Sequence, residues 1–237
     1  MANAIQVQEP NIAVNSFTKP PIIYLDSPIY YSSDSFEHIR QLQSCSDQTC
    51  NLLYIGRDIN NLILENHETH IDVQTFNWRL LTLKTQLENE TYVRSTSGIQ
   101  NDWIFESCRL AILVTMQAVE TCKPLSSTDE SLTQALVQAL EKTNTADKWE
   151  DMLGSLYWVC MIGAAASEGR AGHKILASTL GRTMFQMAFG MDDFDCAVKP
   201  IQRFAAMQIA LNRRFEVAIS VEVEREINGA GSSSGFA

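Results

Sequence analysis

Four side chains hold most of the chemistry this sequence could bring to a small molecule: Arg109, Tyr157, Arg170 and His173. Each can donate hydrogen bonds. Set around an apolar cavity, they would polarise a carbonyl and hold a pliant substrate in a reactive conformation. That suffices for a cyclisation, a pericyclic ring closure or an isomerisation, and none of these calls for a cofactor. Trp103, Glu106, Trp158 and Met161 would line such a cavity as ligand-binding residues. A plainer reading competes with this one. Glu106 and Arg109 stand three residues apart, which on a helix makes them an ion pair on one face, and the aromatics then belong to the core.

Other chemistries find less. No G-x-S-x-G elbow, P-loop or dinucleotide fingerprint occurs. The run Asp192-Asp193-Phe194-Asp195 offers carboxylates to a hard cation. It lacks the full spacing of the aspartate-rich motif of helical terpene cyclases and reads rather as an acidic cap between two helices, negative charge at a helix head. Glu65, His67, Glu68, His70 and Asp72 form a polar knot. Its two histidines would share a face if one helix ran through both, but a solvated junction accounts for them, and no metal site is expected. The cysteines are Cys45, Cys50, Cys108, Cys122, Cys160 and Cys196. Most lie in segments that read as apolar helices, where a thiol stays protonated and inert.

The elements that must position these residues read as helices. Residues 1–32 form an irregular N-terminal arm with four of the six prolines, and none follows until Pro124, which permits long helices. Asp34 and Glu37 have the spacing of a capping box, opening a short helix to about Gln43. Asp47 opens a second, with Leu52, Ile55, Ile59, Leu62 and Ile63 at spacings of three and four. Asp72 opens a third carrying Phe76, Leu80, Leu83 and Leu87, which Ser95-Thr96-Ser97-Gly98 breaks. Asn101 or Asp102 caps a fourth, predicted through Cys122. Thr128 and Asp129 open an amphipathic fifth to about Lys142. Trp149 to Ser167 is apolar nearly all round and belongs at the centre of the fold, ended by Gly169 and Gly172. One helix follows from His173 to about Phe189, and a last one from near Pro200 past Arg214. Ile219, Val221 and Val223 alternate with polar residues as a strand would, although a continued helix fits as well. The predicted fold is all-α: a single irregular bundle of about eight helices over residues 33–228, then a flexible tail at 229–237.

The formal net charge is −10, the isoelectric point about 4.8, and no cluster of four or more Lys and Arg occurs. Such a surface repels phosphate backbones, so neither nucleic acid nor an anionic membrane is an expected direct partner. The longest apolar run, Leu156 to Ala166, is shorter than the ~20 residues a bilayer span needs. The first ten residues lack the apolar run of a secretory signal. These features predict a soluble chain in the nucleus or cytoplasm, with reduced thiols.

Two segments carry a family resemblance. Phe105-Glu106-Ser107-Cys108-Arg109-Leu110-Ala111 heads a long apolar helix. Trp149, Leu153 and Leu156-Tyr157-Trp158-Val159-Cys160-Met161-Ile162-Gly163-Ala164-Ala165-Ala166 lead to Gly169-Arg170. In order and separation they resemble the helical regulatory domain of fungal zinc-cluster transcription factors, over residues 30 to 215. The six-cysteine zinc cluster of that family has no counterpart here, since Cys45 and Cys50 lack the close C-x-x-C spacing and a basic run. The resemblance implies a regulatory or ligand-binding domain that takes an apolar small molecule or a protein partner, contacts no DNA itself, and could form a homodimer. The alternative is a cofactor-free enzyme of secondary metabolism on the same helical frame.

Overall fold

Helix starts in this chain follow its short polar side chains. The computed structural model describes residues 27–29, 36–41, 45–96, 102–145, 149, 152–189 and 198–213. Helix α1 (Asp47–Thr69) is capped by Ser46, whose Oγ accepts the Thr49 N–H at 3.2 Å. Helix α2 (Val73–Thr96) begins after Asp72, which accepts the Thr75 N–H at 3.0 Å. Helix α3 (Trp103–Glu120) is capped by Asp102 through the Phe105 N–H at 3.0 Å. Helix α4 (Glu130–Lys142) is capped by Asp129 through the Ser131 N–H at 2.8 Å. Each such cap satisfies a backbone donor that the helix itself leaves orphaned. The Ser46 hydroxyl also donates to Asp102 Oδ2 at 3.1 Å, tying the starts of α1 and α3 together.

Three more helices complete the described structure: α5 (Leu153–Ala166), α6 (His173–Phe189) and α7 (residues 198–213). Short 3-10 helices span Phe36–Gln41 and Leu125–Ser127. No strand occurs among the described residues, so the all-α expectation is met. The alternating stretch at 219–223, the acidic run at 192–195, Cys196, residues 1–26 and 30–32 of the arm and the tail lie outside the described residues.

Several expected boundaries shift for identifiable reasons. The segment before α1 winds as a 3-10 helix, tighter than an α-helix. Helix α3 stops two residues early because Cys122 adopts a left-handed backbone, φ 51°. Helix α1 ends as His70 turns left-handed, φ 53°, so His67 and His70 are not on one continuous helix face. Among the described residues no group of three or more His, Cys, Asp or Glu is placed to hold a metal ion.

Helix α5 is the centre of the core. Nearly every residue on it is buried, with α3, α4 and α6 packed around it. Its glycines and alanines let those neighbours in. A Cβ at Gly163 would lie 3.0 Å from both Leu136 of α4 and Leu176 of α6. Trp158 drives its ring into α1, within 3.0 Å of where a Cβ on Gly56 would be. No helix among the described residues is long and apolar enough to cross a membrane.

The two ends of the described chain meet on α1. Ile29 is fully buried, and Asn60 Nδ2 donates to the Pro28 carbonyl at 3.2 Å. Arg203 of α7 donates to the Ile29 carbonyl at 2.9 Å and to Asn61 Oδ1 at 3.0 Å.

Candidate functional site

Helices α5, α6 and α7 border an open recess of about 350 Å³. Its walls follow from helical spacing. Tyr157, Met161, Ala164 and Ala165 recur at threes and fours along α5. His173, Leu180 and Met184 come from α6, and Ile201 and Phe204 from α7. Glu168, exposed, completes the lining. The rest is almost wholly apolar, which suits a small hydrophobic molecule held by a few polar contacts.

Two polar groups converge on this recess. The Tyr157 side chain is buried, and its hydroxyl makes no hydrogen bond among the described residues. Burial pushes its pKa up to about 12, so the hydroxyl stays neutral and remains a donor. His173 Nδ1 lies 3.1 Å from the Ala164 carbonyl and 3.4 Å from Ser167 Oγ. A carbonyl can only accept, so Nδ1 carries the proton in the first of these contacts. In the neutral ring Nε2 is then an acceptor. The recess thus pairs a neutral donor with an imidazole whose tautomer the backbone fixes.

The remaining sequence candidates are placed elsewhere. Arg109 grips Glu106 with two nitrogens, at 2.6 and 2.8 Å, both side chains being partly buried. That carboxylate holds the guanidinium pKa above its usual value. Arg109 borders a separate surface groove of about 550 Å³ between α2, α3 and α4. Trp103 is half-buried, with the Lys142 ammonium 4.1 Å from its ring centroid. Trp158 follows Tyr157 in sequence but points to the opposite side, into the core, and its indole N–H finds no partner. Arg170 spans two loops, donating to the carbonyls of Thr128 and Ser126, each at 2.7 Å. The structure therefore brings together Tyr157, Met161 and His173, and leaves Arg109, Arg170, Trp103, Glu106 and Trp158 outside the recess.

A further groove of about 530 Å³ runs between α1, α2 and α7 past Asp58, Glu65 and Glu68. Its Glu65 is engaged by Arg79 at 2.8 Å, as Glu120 of the α2–α4 groove is by Lys84 at 2.7 Å. Three of the thiols are poor nucleophiles: burial pushes Cys45 and Cys160 up to about 12 and Cys108 well above its usual value.

Sequence reasoning missed Leu180, Met184, Ile201 and Phe204. The spacing of Leu180 and Met184 from His173, seven and eleven residues, marks one face of α6. Nothing in the sequence pairs that face with α7.

Fold and site together define an all-helical domain with one apolar, tyrosine-floored recess. Compared with protein-family models, with curated proteins and with solved structures, the chain matches none.

Proposed function

We propose that this chain is a helical ligand-binding domain, whose recess between α5, α6 and α7 takes an apolar small molecule bearing one hydrogen-bond acceptor such as a carbonyl. One observation carries the reading: the Tyr157 hydroxyl, with no hydrogen bond among the described residues, is open to an apolar recess. An acceptor on the ligand would take that donor in place of water, a net gain of about 0.5–1.5 kcal/mol. The resemblance of residues 105–111 and 149–170 to fungal regulatory domains supports a regulatory role, exerted on transcription through a separate DNA-binding chain.

The probe is 6-propionyl-2-dimethylaminonaphthalene, an apolar ketone whose emission reports both burial and hydrogen bonding to its carbonyl. Binding with a blue-shifted emission is expected. Tyr157→Phe should weaken it about 2- to 10-fold, the worth of one neutral hydrogen bond. Met161→Trp, which fills the recess, should abolish it. Equal binding by Met161→Trp would remove the recess from consideration.

A second reading rests on the same pair. A neutral tyrosine donor and an imidazole acceptor in one apolar recess are what a cofactor-free isomerisation or cyclisation requires. It predicts turnover of a carbonyl-bearing substrate that Tyr157→Phe and His173→Gln both slow, where the binding reading predicts retention unchanged.

A further inference from the structure

The polar groups of the recess stand at its two ends. Ala164 follows Tyr157 by seven residues, two turns on along the same face of α5. At 1.5 Å per residue their backbones are about 10 Å apart. Helical side chains lean toward the N-terminus, so the Tyr157 hydroxyl leans away from Ala164. His173 is tied to the far end, its Nδ1 3.1 Å from the Ala164 carbonyl. Glu168 belongs to that end too, because it follows Ser167, whose Oγ lies 3.4 Å from the same Nδ1. Helix α6 runs back along α5 from there: Leu176 meets Gly163, and Leu180 and Met184 continue toward Tyr157.

The ends differ in what they ask of a ligand. Tyr157 offers a neutral donor. The other end offers two acceptors, His173 Nε2 and the Glu168 carboxylate, which pairs with no base among the described residues. No Lys or Arg among the described residues lines the recess. The basic side chains of α6 and α7 are placed elsewhere. Lys174, Lys199 and Arg213 are exposed, Arg182 donates to Thr145 Oγ1, and Arg203 donates to the Ile29 carbonyl.

We propose that the ligand is an elongated apolar amine, with a carbonyl or similar acceptor at the Tyr157 end and an ammonium at the Glu168–His173 end. The inference rests on the ligand-binding reading above, and adds to it the charge and the length of the ligand. An ammonium N–H satisfies the Nε2 lone pair while its charge faces the carboxylate. A carboxylate or phosphate there would meet like charge with no base to offset it. An alcohol would supply the donor and leave the charge of Glu168 to water.

Three ketones on one six-methylene chain, used to displace the naphthyl ketone, test this. They are 8-(dimethylamino)octan-2-one, cationic at neutral pH, the uncharged 8-hydroxyoctan-2-one, and the anion 8-oxononanoate. The cation should bind about 2- to 5-fold tighter than the alcohol, the worth of an ion pair at an exposed carboxylate. The anion should bind more weakly than either. Glu168→Gln should remove the difference between cation and alcohol, and 1 M salt should remove most of it in the wild type. Tyr157→Phe should weaken all three by one factor, since it meets the ketone they share at the opposite end. An alcohol that binds while the cation gains nothing overturns this inference and leaves the recess standing. So does a cation preference that persists in Glu168→Gln, or one that Tyr157→Phe abolishes. If none of the three displaces the probe, or if Met161→Trp binds them as the wild type does, the ligand-binding reading fails and this inference with it.

Discussion

Arg170→Ala separates structure from binding at a residue whose type and position first suggested chemistry. Its guanidinium joins the loop after α5 to the loop before α4 through two charge-assisted bonds of 2.7 Å, to the carbonyls of Thr128 and Ser126. Bonds of this kind contribute about 1.5–3 kcal/mol each when buried. Arg170 is half-buried, so water can partly replace it, and the expected loss is about 2–4 kcal/mol in total. For a chain of this length that lowers the melting temperature by about 4–16 °C. Arg170→Lys keeps the charge but has no fork to reach both carbonyls, and should lose roughly half as much. Urea melts followed by circular dichroism measure the loss. Affinity for the naphthyl ketone, read well below the melting range, should be unchanged in both variants because Arg170 does not line the recess. An Arg170→Ala chain that melts like the wild type yet binds the ketone less tightly would refute the structural assignment.

Four other outcomes are expected. Gly56→Ala should destabilise by about 1–3 kcal/mol, because its Cβ would sit 3.0 Å from the Trp158 ring; combined with Trp158→Phe the two losses should sum to less than their separate values, read as a coupling energy in a double-mutant cycle. Gly172→Ala should lower the melting temperature, since the site has φ 88° and the new methyl would lie 2.7 Å from Val137. Asp102→Ala should cost about 1 kcal/mol or more through the lost cap of α3, measured by urea melts. Stability should fall as pH rises from 9 through 12: burial raises the folded pKa of Tyr157, Cys45 and Cys160 to about 12 from ordinary values of 10, 9 and 9, so the unfolded chain releases these protons first. Urea midpoints at several alkaline pH values check this, and Tyr157→Phe should flatten the decline.

What the sequence made legible was helix by helix. The stripes of α1 and α2, the caps at Asp72, Asp102 and Asp129, and the all-apolar α5 each rest on local spacing, and each reappears in the fold. Local spacing does not say which way neighbouring side chains on one helix point within a bundle. Tyr157 and Trp158 are adjacent, and one lines the recess while the other abuts Gly56. Arg170 looked like a free donor because the carbonyls it binds lie more than forty residues earlier, and carbonyls leave no mark in a sequence. The recess itself depends on α7 closing against α5 and α6, a pairing that no periodicity encodes.

Arg203 and Phe204 are consecutive on α7 and face different tasks. Phe204 walls the recess, while Arg203 clasps the Ile29 carbonyl and Asn61. One rigid turn of helix therefore carries both contacts, and a ligand that shifted this turn on filling the recess would disturb the seating of residues 27–29 as well. For such a ligand, reciprocity would make the pull that lifts the segment off α1 weaken binding by the same factor with which binding tightens the segment. The segment at residues 27–29 and the recess thus rest on neighbouring side chains of one helix.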